Sequence, residues 1–287
     1  MAAQPHMFKR VVLGLEPSAP EQTTRLAAEL AGLLHLELLG LFFEDPGLRN
    51  LAAFPFAREF RLLGGGWHPI ELERFSNELE FAIRNAERLF ANAARDLKTR
   101  CQFEVIREAV AQAIDSISRS GDIIVIAEPA TPVGRVAQHF SWLLNAAFHS
   151  AAAVMLVPTQ VARARGPVVA IAVDPADPSI RAAASIAIAA NEDLIIVRAH
   201  ERESDDPEIR KLAAETGLTI KHVFTGEAPL LSELAAFADA FHRVQERLVV
   251  ATRNVLAPEP ALSIASSRRI PVLVIAQNES VPMALRD

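Results

Sequence analysis

The 287-residue sequence contains one cysteine, Cys101, and no tyrosine, and aromatic residues make up only 6% of it. A single cysteine cannot form an intrachain disulfide, so a reducing compartment is expected. No stretch approaches the roughly 18 apolar residues that a membrane-spanning helix needs. The first ten residues also lack the apolar core of a secretory signal. These absences predict a cytoplasmic protein that does not enter a membrane.

The chain also lacks an excess of positive charge. Lysine and arginine number 29 against 35 aspartates and glutamates, which gives a net charge of −6 and a pI near 5.8. Such a balance provides no general attraction to nucleic acid or to an anionic membrane surface. The eight histidines are scattered, and none has the spacing of a metal-ligand pair. We therefore predict no nucleic-acid partner and no metal site.

The sequence does contain one pattern that occurs twice. The apolar run Val11–Leu15 is followed by Glu16 and a proline, and Val169–Val173 is followed by Asp174 and a proline. Glu16 and Asp174 are 158 positions apart. An alanine-rich helical pattern follows each run. The repeat predicts two domains of one fold, residues 1–160 and a shorter domain of residues 167–279.

Strand and helix patterns alternate through both copies, which favours right-handed crossovers and a mostly parallel sheet. Five strands per copy fit the α/β class, with two tandem Rossmann-like or flavodoxin-like domains and helices on both faces. Asp177 and Pro178 are typical of a helix start, and Gly217 is typical of a helix end. Ligands of such sheets bind beyond the carboxyl ends of the strands. Glu16, Asp174 and Ala199 are therefore candidate ligand contacts.

An insertion at about residues 45–69 interrupts the first copy. Its Gly64–Gly66 run lacks the Lys-Ser/Thr of a phosphate loop, and we interpret it as a flexible hinge. The same segment is rich in aromatic residues: Phe54, Phe56, Phe60 and Trp67. We expect them to pack over the chain's own sheet. A lid over the first-copy cleft and an arm onto a partner subunit are the alternatives.

Two such units with these strand ends resemble the universal stress protein family. The resemblance extends from about Phe8 to Gln277, and its best-matching part is the proline-flanked closing strand in Arg269–Ile275. It implies a five-stranded parallel sheet of order 3-2-1-4-5 in each copy. It also implies a place in stress adaptation.

ATP-binding members of that family carry a glycine motif after the fourth strand: Gly, two residues, Gly, nine residues, Gly, then Ser or Thr. Glycines there let backbone N–H groups approach the phosphates. In the first copy this spacing falls on Ala127, Ala130, Phe140 and Ser141, so only the hydroxyl remains. In the second copy Ala251-Thr252-Arg253-Asn254 replaces the first two glycines. The resemblance therefore implies that the usual ATP motif is lost.

We accordingly expect a non-catalytic stress-response module without a cofactor, which binds a protein partner, a second copy of itself or a small molecule. The alternative is ATP or AMP binding, mainly by the second copy through Asp174, Ala199, Arg253 and Asn254, with weak hydrolysis. In that case Arg253, or Arg268 with Arg269, would pair with phosphate. Glu16 and Asp174 equally suit turn caps. A related α-hydrolase enzyme would need a phosphate loop after the first strand, which the sequence does not supply.

Ser141 is a further candidate, as a nucleophile or as a phosphate ligand. The nearest histidines are His139, two residues away, and His149, eight residues away. Residues two apart point to different faces of a helix, so His139 is not placed to act on Ser141. A helical serine that faces solvent or a neighbour is the favoured interpretation. No catalytic residue is predicted.

Overall fold

The computed structural model describes residues 7–15, 21–44, 47, 50, 54–61, 65–108, 110–129, 131, 138–198, 207–224 and 244–276. Their architecture confirms the predicted α/β class. Ten strands form one sheet, in which all neighbours run parallel except at a single pairing near its middle. A separate hairpin of two strands lies outside this sheet. None of the described helices combines the length and apolarity that crossing a bilayer requires.

The first half of the sheet, called the first unit below, has the strand order β5-β2-β1-β6-β7. Its strands are β1 (Arg10–Leu15), β2 (Glu37–Phe43), β5 (Cys101–Ile106), β6 (Asp122–Ala127) and β7 (Ala153–Val157). Its helices are α1 (Glu21–Leu33), α2 (Leu72–Asp96), α3 (Val110–Ile117) and α4 (Gln138–His149). The inserted hairpin consists of β3 (Arg58–Arg61) and β4 (Gly66–Pro69).

The second unit repeats the arrangement in the order β10-β9-β8-β11-β12. Its strands are β8 (Val168–Ile171), β9 (Leu194–Arg198), β10 (Ile220–Phe224), β11 (Leu248–Thr252) and β12 (Val272–Ile275). Its described helices are α5 (Pro178–Ala190), α6 (Pro207–Thr216) and α7 (Pro258–Arg268). Counted along each unit, the spatial order is 3-2-1-4-5, as predicted. The sequence also predicts a helix over residues 229–243, which lie outside the described residues.

The two units meet where β7 and β12 pair antiparallel. Met155 lies opposite Leu273, and the next pair along is Val154 with Val274. A symmetric antiparallel pairing of equivalent strands is the arrangement that a two-fold axis produces. The units are therefore related by an approximate two-fold axis near Met155 and Leu273. The domain boundaries at residues 160 and 167 stay a prediction.

The register of the repeat differs by one residue from the sequence interpretation. Val11 pairs with Ile123, and its counterpart Val168 pairs with Leu248, so the first strands are related by 157 positions and not 158. Val11 and Val168 also face the same side of the sheet. A slip of one residue would turn every side chain to the other face. The acid–proline pattern misled because it lies after the strands, and in the second copy it belongs to a turn that the Asp177 N–H closes onto the Asp174 carbonyl.

Helices cover both faces of the sheet, as expected. One face packs against α1, α2 and α5, with Ile209 of α6, and the other packs against α3, α4 and α7. The local signals at helix ends are also confirmed. Asp177 caps α5 by accepting a hydrogen bond from the Ser179 N–H, and Pro178 is its first residue. Gly217 has a φ of 67° directly after α6 and donates to the Ala213 carbonyl.

The inserted hairpin does not pack over the sheet, and the prediction that its aromatic side chains do so is wrong. Phe60 and Trp67 contact each other edge to face at 5.5 Å, yet Trp67 is 65% exposed and Phe56 is 90% exposed. Glu59 forms an ion pair with Arg74 of α2. Side chains alternate along a strand, so the face that carries Phe60 points away from α2. Gly66 begins β4 and so belongs to a hairpin, while Gly64 lies outside the described residues.

Candidate functional site

Glu128 and Arg253 occupy equivalent positions, each one residue beyond the fourth strand of its unit. The Glu128 N–H donates to the Val157 carbonyl at 2.7 Å, and the Arg253 N–H donates to the Ile275 carbonyl at 3.1 Å. Ala127 accordingly corresponds to Thr252 rather than to Ala251. By the spacing given above, the family's glycine motif begins at Ala127, so Glu128 and Arg253 lie one residue after its first position. Each side chain reaches into the other unit.

The Arg253 guanidinium binds the end of α4. Nη1 donates to the Ser150 carbonyl at 2.6 Å, and Nη2 donates to the carbonyls of Ala147, at 3.2 Å, and Ala152. The group also lies 6.0 Å from the centre of the Phe148 ring. A cation is favoured at the negative end of a helix dipole. Burial lowers the pKa of Arg253, but guanidinium stays protonated in proteins.

Glu128 makes the opposite connection, to α7. Its side chain is 3% exposed and accepts hydrogen bonds from the Ser266 hydroxyl and from the Thr159 N–H, the latter at 3.4 Å. Val154 and Val272 are equivalent residues of the last strands, which makes Ser266 the counterpart of Phe148. The pairs Glu128–Ser266 and Arg253–Phe148 are therefore related by the approximate two-fold axis, although their chemistry differs.

The carboxyl ends of the first-unit strands are acidic. Glu44 follows β2, is buried, and accepts a hydrogen bond from Arg107 Nε at 3.1 Å. With Glu128 beyond β6, buried carboxylates lie on two sides of the end of β1. Both acids therefore lie at the edge of the sheet at which ligands of such folds bind.

The predicted residues of the first-unit motif take structural positions. Ala127 ends β6, and Phe140 is buried in the core between α4 and the sheet. Ser141 is half-buried on α4. His149 uses Nδ1 to contact the Asn145 carbonyl at 2.7 Å. Glu16 and Ala130 lie outside the described residues, as does Ala199 of the second unit.

Asp174 makes the contacts of a turn cap. Its Oδ1 accepts from the Ala176 N–H at 2.8 Å, and its carbonyl accepts from the Asp177 N–H. The side chain is exposed beyond the end of β8. Asn254 is also exposed, in the turn that the Val255 N–H closes onto the Thr252 carbonyl. Both are accessible, but they share no contact in the structure's described part.

The start of α7 offers a phosphate few donors. Ala257 is its N-cap and makes no side-chain cap, and Pro258, Glu259 and Pro260 follow. Proline has no N–H, so two of the first three helical residues cannot donate to an anion. Glu259 adds a negative charge at the same place. Arg268 cannot compensate, because it binds Glu246 and the Val244 carbonyl beside the beginning of β11.

A groove of about 580 Å³ runs along α7 at the junction of the units. Glu128, Thr159, Ser263, Ser266, Glu259 and Arg269 are among the residues that line it. Sequence reasoning missed Glu128, although an acid next to the first motif position was visible. The sequence could not have indicated Ser266, because its role follows from the fold: it contacts Glu128 of the other unit and is the symmetry counterpart of Phe148. Among the described residues, no three His, Cys, Asp or Glu side chains are grouped to hold a metal ion.

Solved structures with this fold include universal stress proteins. One from Archaeoglobus fulgidus aligns with 94% of this chain and 97% of its own, at a TM-score of 0.58 and 13% identity. Another, described as a universal stress protein of Pseudomonas aeruginosa, aligns over 94% of both chains at a TM-score of 0.51 and 17% identity. The cytoplasmic domain of a prokaryotic cation chloride cotransporter aligns with 97% of this chain and 100% of its own, at a TM-score of 0.52 and 9% identity.

The chain therefore has the fold of universal stress proteins. No known family model matches the sequence, and no curated protein is significantly similar to it.

Proposed function

We propose that this protein is a non-catalytic universal-stress-type module that has lost the usual ATP-binding mode and acts by binding a partner or a small ligand. The observation that carries the proposal is the use of Glu128 and Arg253. Both lie one residue after the position at which ATP-binding members begin their glycine motif, and both bind the opposite unit. In our proposal, this part of the phosphate loop has become part of the contact between the units.

The chemistry at each position supports this proposal. Glu128 presents a buried negative charge where a phosphate would need N–H donors. Arg253 has the right charge, but its Nη1 and Nη2 groups already donate to the end of α4. Moving it to a phosphate would remove this donor from three backbone carbonyls, of which that of Ala147 keeps the Ser150 N–H and hydroxyl as donors. A buried polar group left unpaired costs about 1–3 kcal/mol.

A specific asymmetry supports the alternative, ATP or AMP binding by the second unit. There the strand ends carry Arg253 and the buried Arg198, whereas the first unit has Glu44 and Glu128. Asp174 is accessible at the same edge. A nucleotide held here would use Asp174 for its ribose or base, and phosphate contacts would have to come from outside the glycine-motif positions.

Thermal-shift and calorimetric titrations with ATP, ADP, AMP and cyclic AMP distinguish the two hypotheses. If the usual ATP-binding mode is lost, we expect none of the four nucleotides to give saturable heat or to shift the melting temperature. A ligand at 100 times its Kd would stabilise the fold by about 2.7 kcal/mol, which raises the Tm by roughly 5–10 °C for a chain of this size. Saturable binding that Asp174→Ala abolishes, while Asp193→Ala leaves it unchanged, would establish the nucleotide-binding alternative instead.

A further inference from the structure

The strand β3 of the inserted hairpin has an open edge. The hairpin is a two-stranded sheet of its own, so within the described residues β4 is the one neighbour of β3. A two-stranded ribbon is only marginally stable in water, and a further strand stabilises it. Outward N–H and C=O groups on a strand edge are also a template for pairing with another chain. The hairpin is therefore a place at which a strand can add.

The register of the hairpin shows which backbone groups point outward from β3. The Ile70 N–H donates to the Ala57 carbonyl at 3.2 Å, which makes these two residues a hydrogen-bonded pair. The next pair along the ladder is Arg58 with Pro69. Hydrogen-bonded and non-hydrogen-bonded pairs alternate in an antiparallel ladder. The N–H and C=O groups of Arg58 and Phe60 therefore point away from β4, toward the open edge.

The outer edge of β4 is less suited to pairing. Trp67 and Pro69 are the residues whose backbone groups point outward there, and proline has no N–H. A proline on an edge strand is one of the devices that prevent edge-to-edge pairing. On β3 both outward residues keep their N–H groups, and neither has a second backbone acceptor in the described part of the chain. The hairpin is therefore open on the β3 side and blocked on the β4 side.

The sequence of β3 is complementary to itself in one antiparallel register. The strand reads Arg58-Glu59-Phe60-Arg61. A two-fold axis through any of its three charged residues would set two like charges directly opposite each other, which destabilises a strand pair. An axis through Phe60 instead sets two aromatic residues opposite each other and, on both sides, an arginine position opposite a glutamate position. Glu59 is already paired with Arg74, so these charges select the register and leave no acid uncompensated.

We propose that a second copy of this chain pairs with β3 about a two-fold axis at Phe60. The two hairpins then form one four-stranded sheet of order β4-β3-β3-β4, in which the Phe60 residues exchange hydrogen bonds. Two-fold pairing through identical surfaces is the commonest form of association among soluble proteins. The contact is small, so the dimer is transient and forms at high protein concentration.

The contact leaves the other surfaces of the protein unchanged. Pairing through an edge does not cover the face that carries Trp67, which stays exposed in the dimer. The hairpin also lies outside the ten-stranded sheet. The inference therefore goes beyond the proposed function, and it holds whether or not nucleotides bind at the strand ends.

Sedimentation velocity of the full chain tests the proposal at protein concentrations from about 10 µM to about 1 mM. We expect a reversible monomer–dimer equilibrium. Phe60→Pro should weaken dimerisation about tenfold or more, because it removes the outward N–H at the axis. Trp67→Pro is the matched control, since it removes an aromatic ring and an outward N–H at the position directly opposite, on the unused edge. It should leave the dimer within about twofold of the parent.

Reversed charges test the register. Glu59→Arg and Arg61→Glu each set like charges opposite each other, so neither variant should dimerise alone. In an equimolar mixture the two arginines of one variant lie opposite the two glutamates of the other. We therefore expect a heterodimer, which native mass spectrometry distinguishes from the homodimers.

A parent that stays monomeric at about 1 mM would overturn the inference, and so would a Phe60→Pro variant that dimerises as strongly as the parent. Loss of the dimer in both proline variants would contradict it as well, because the contact would then belong to the aromatic face and not to the β3 edge. A mixture without heterodimers would exclude the register centred on Phe60. Glu59→Arg also removes the ion pair with Arg74, so the two proline variants decide if it proves unfolded.

Discussion

Glu128 and Arg253 are equivalent by the approximate two-fold axis, carry opposite charge, and each binds the last helix of the other unit. The backbone positions in the contact between the units are therefore symmetric, but the side chains at those positions differ in charge and in the groups they bind. Exchanging the partners would be unfavourable: a carboxylate in the place of Arg253 would face the carbonyls of Ala147, Ser150 and Ala152. This complementarity favours pairing of a first unit with a second unit over pairing of two identical units.

Replacing Arg253 with methionine tests how much the contact stabilises the fold. Arg253→Met keeps an apolar stem but removes the bonds to the carbonyl of Ala147 in α4 and to those of Ser150 and Ala152 just after it. We expect a loss of about 2–4 kcal/mol in the free energy of unfolding, measured by urea denaturation. Arg165→Met, at an exposed linker position, should change it by less than about 0.5 kcal/mol. Equal stability of the two variants would show that Arg253 contributes no net energy.

Gly40 is predicted to be required for the approach of α2 to the sheet. A Cβ at this position would lie 2.9 Å from Cε2 of Phe90 and 3.1 Å from Cδ1 of Leu15. Gly40→Ala should therefore cost about 1–3 kcal/mol through overpacking. Gly14→Ala on the neighbouring strand is the control, because its Cβ would meet Phe43 at an ordinary 3.4 Å. A Gly40→Ala variant as stable as the parent would mean that Phe90 moves freely, which its burial argues against.

The alternation of strands and helices was predictable from the sequence because it follows from local patterns and general rules. Apolar runs alternate with helical periodicity, and Asp177 with Pro178 signals a helix start that the structure contains. Right-handed crossovers then limit the arrangements of a five-strand unit to a few. The family resemblance selected the order 3-2-1-4-5 among them.

The contact between the units was not predictable in the same way. Glu128 and Ser266 are 138 positions apart, and Arg253 and Ser150 are 103 apart. No local pattern links such residues, and each looks ordinary in its own segment. The prediction that the aromatic hairpin packs over the sheet was wrong for a related reason. Aromatic composition predicts burial on average, but a two-stranded ribbon with one side toward α2 leaves its other side uncovered.

The exposure of that hairpin gives an optical prediction. The chain has two tryptophans and no tyrosine, and Trp67 and Trp142 are 65% and 58% exposed. Emission should resemble that of solvated tryptophan, with strong quenching by acrylamide, and urea unfolding should shift it little. The Trp67→Phe and Trp142→Phe variants each keep one tryptophan, so their emission spectra report the two sites separately. A blue-shifted emission that Trp67→Phe removes would indicate that another molecule covers the hairpin.

His222 on β10 is predicted to make stability depend on pH. Burial, and secondly the positive charge of Arg198, lower the pKa of His222 below its ordinary value of 6.5. The unfolded chain then binds a proton more readily than the folded one, so this contribution is complete above about pH 6.5 and is lost as the pH falls below it. Urea denaturation at about pH 7.5 and about pH 5.5 should show that His222→Gln loses less stability on acidification than the parent. The same substitution at exposed His149 is the control. Identical pH dependence of the parent and His222→Gln would contradict the assignment and leave other groups responsible for any acid lability.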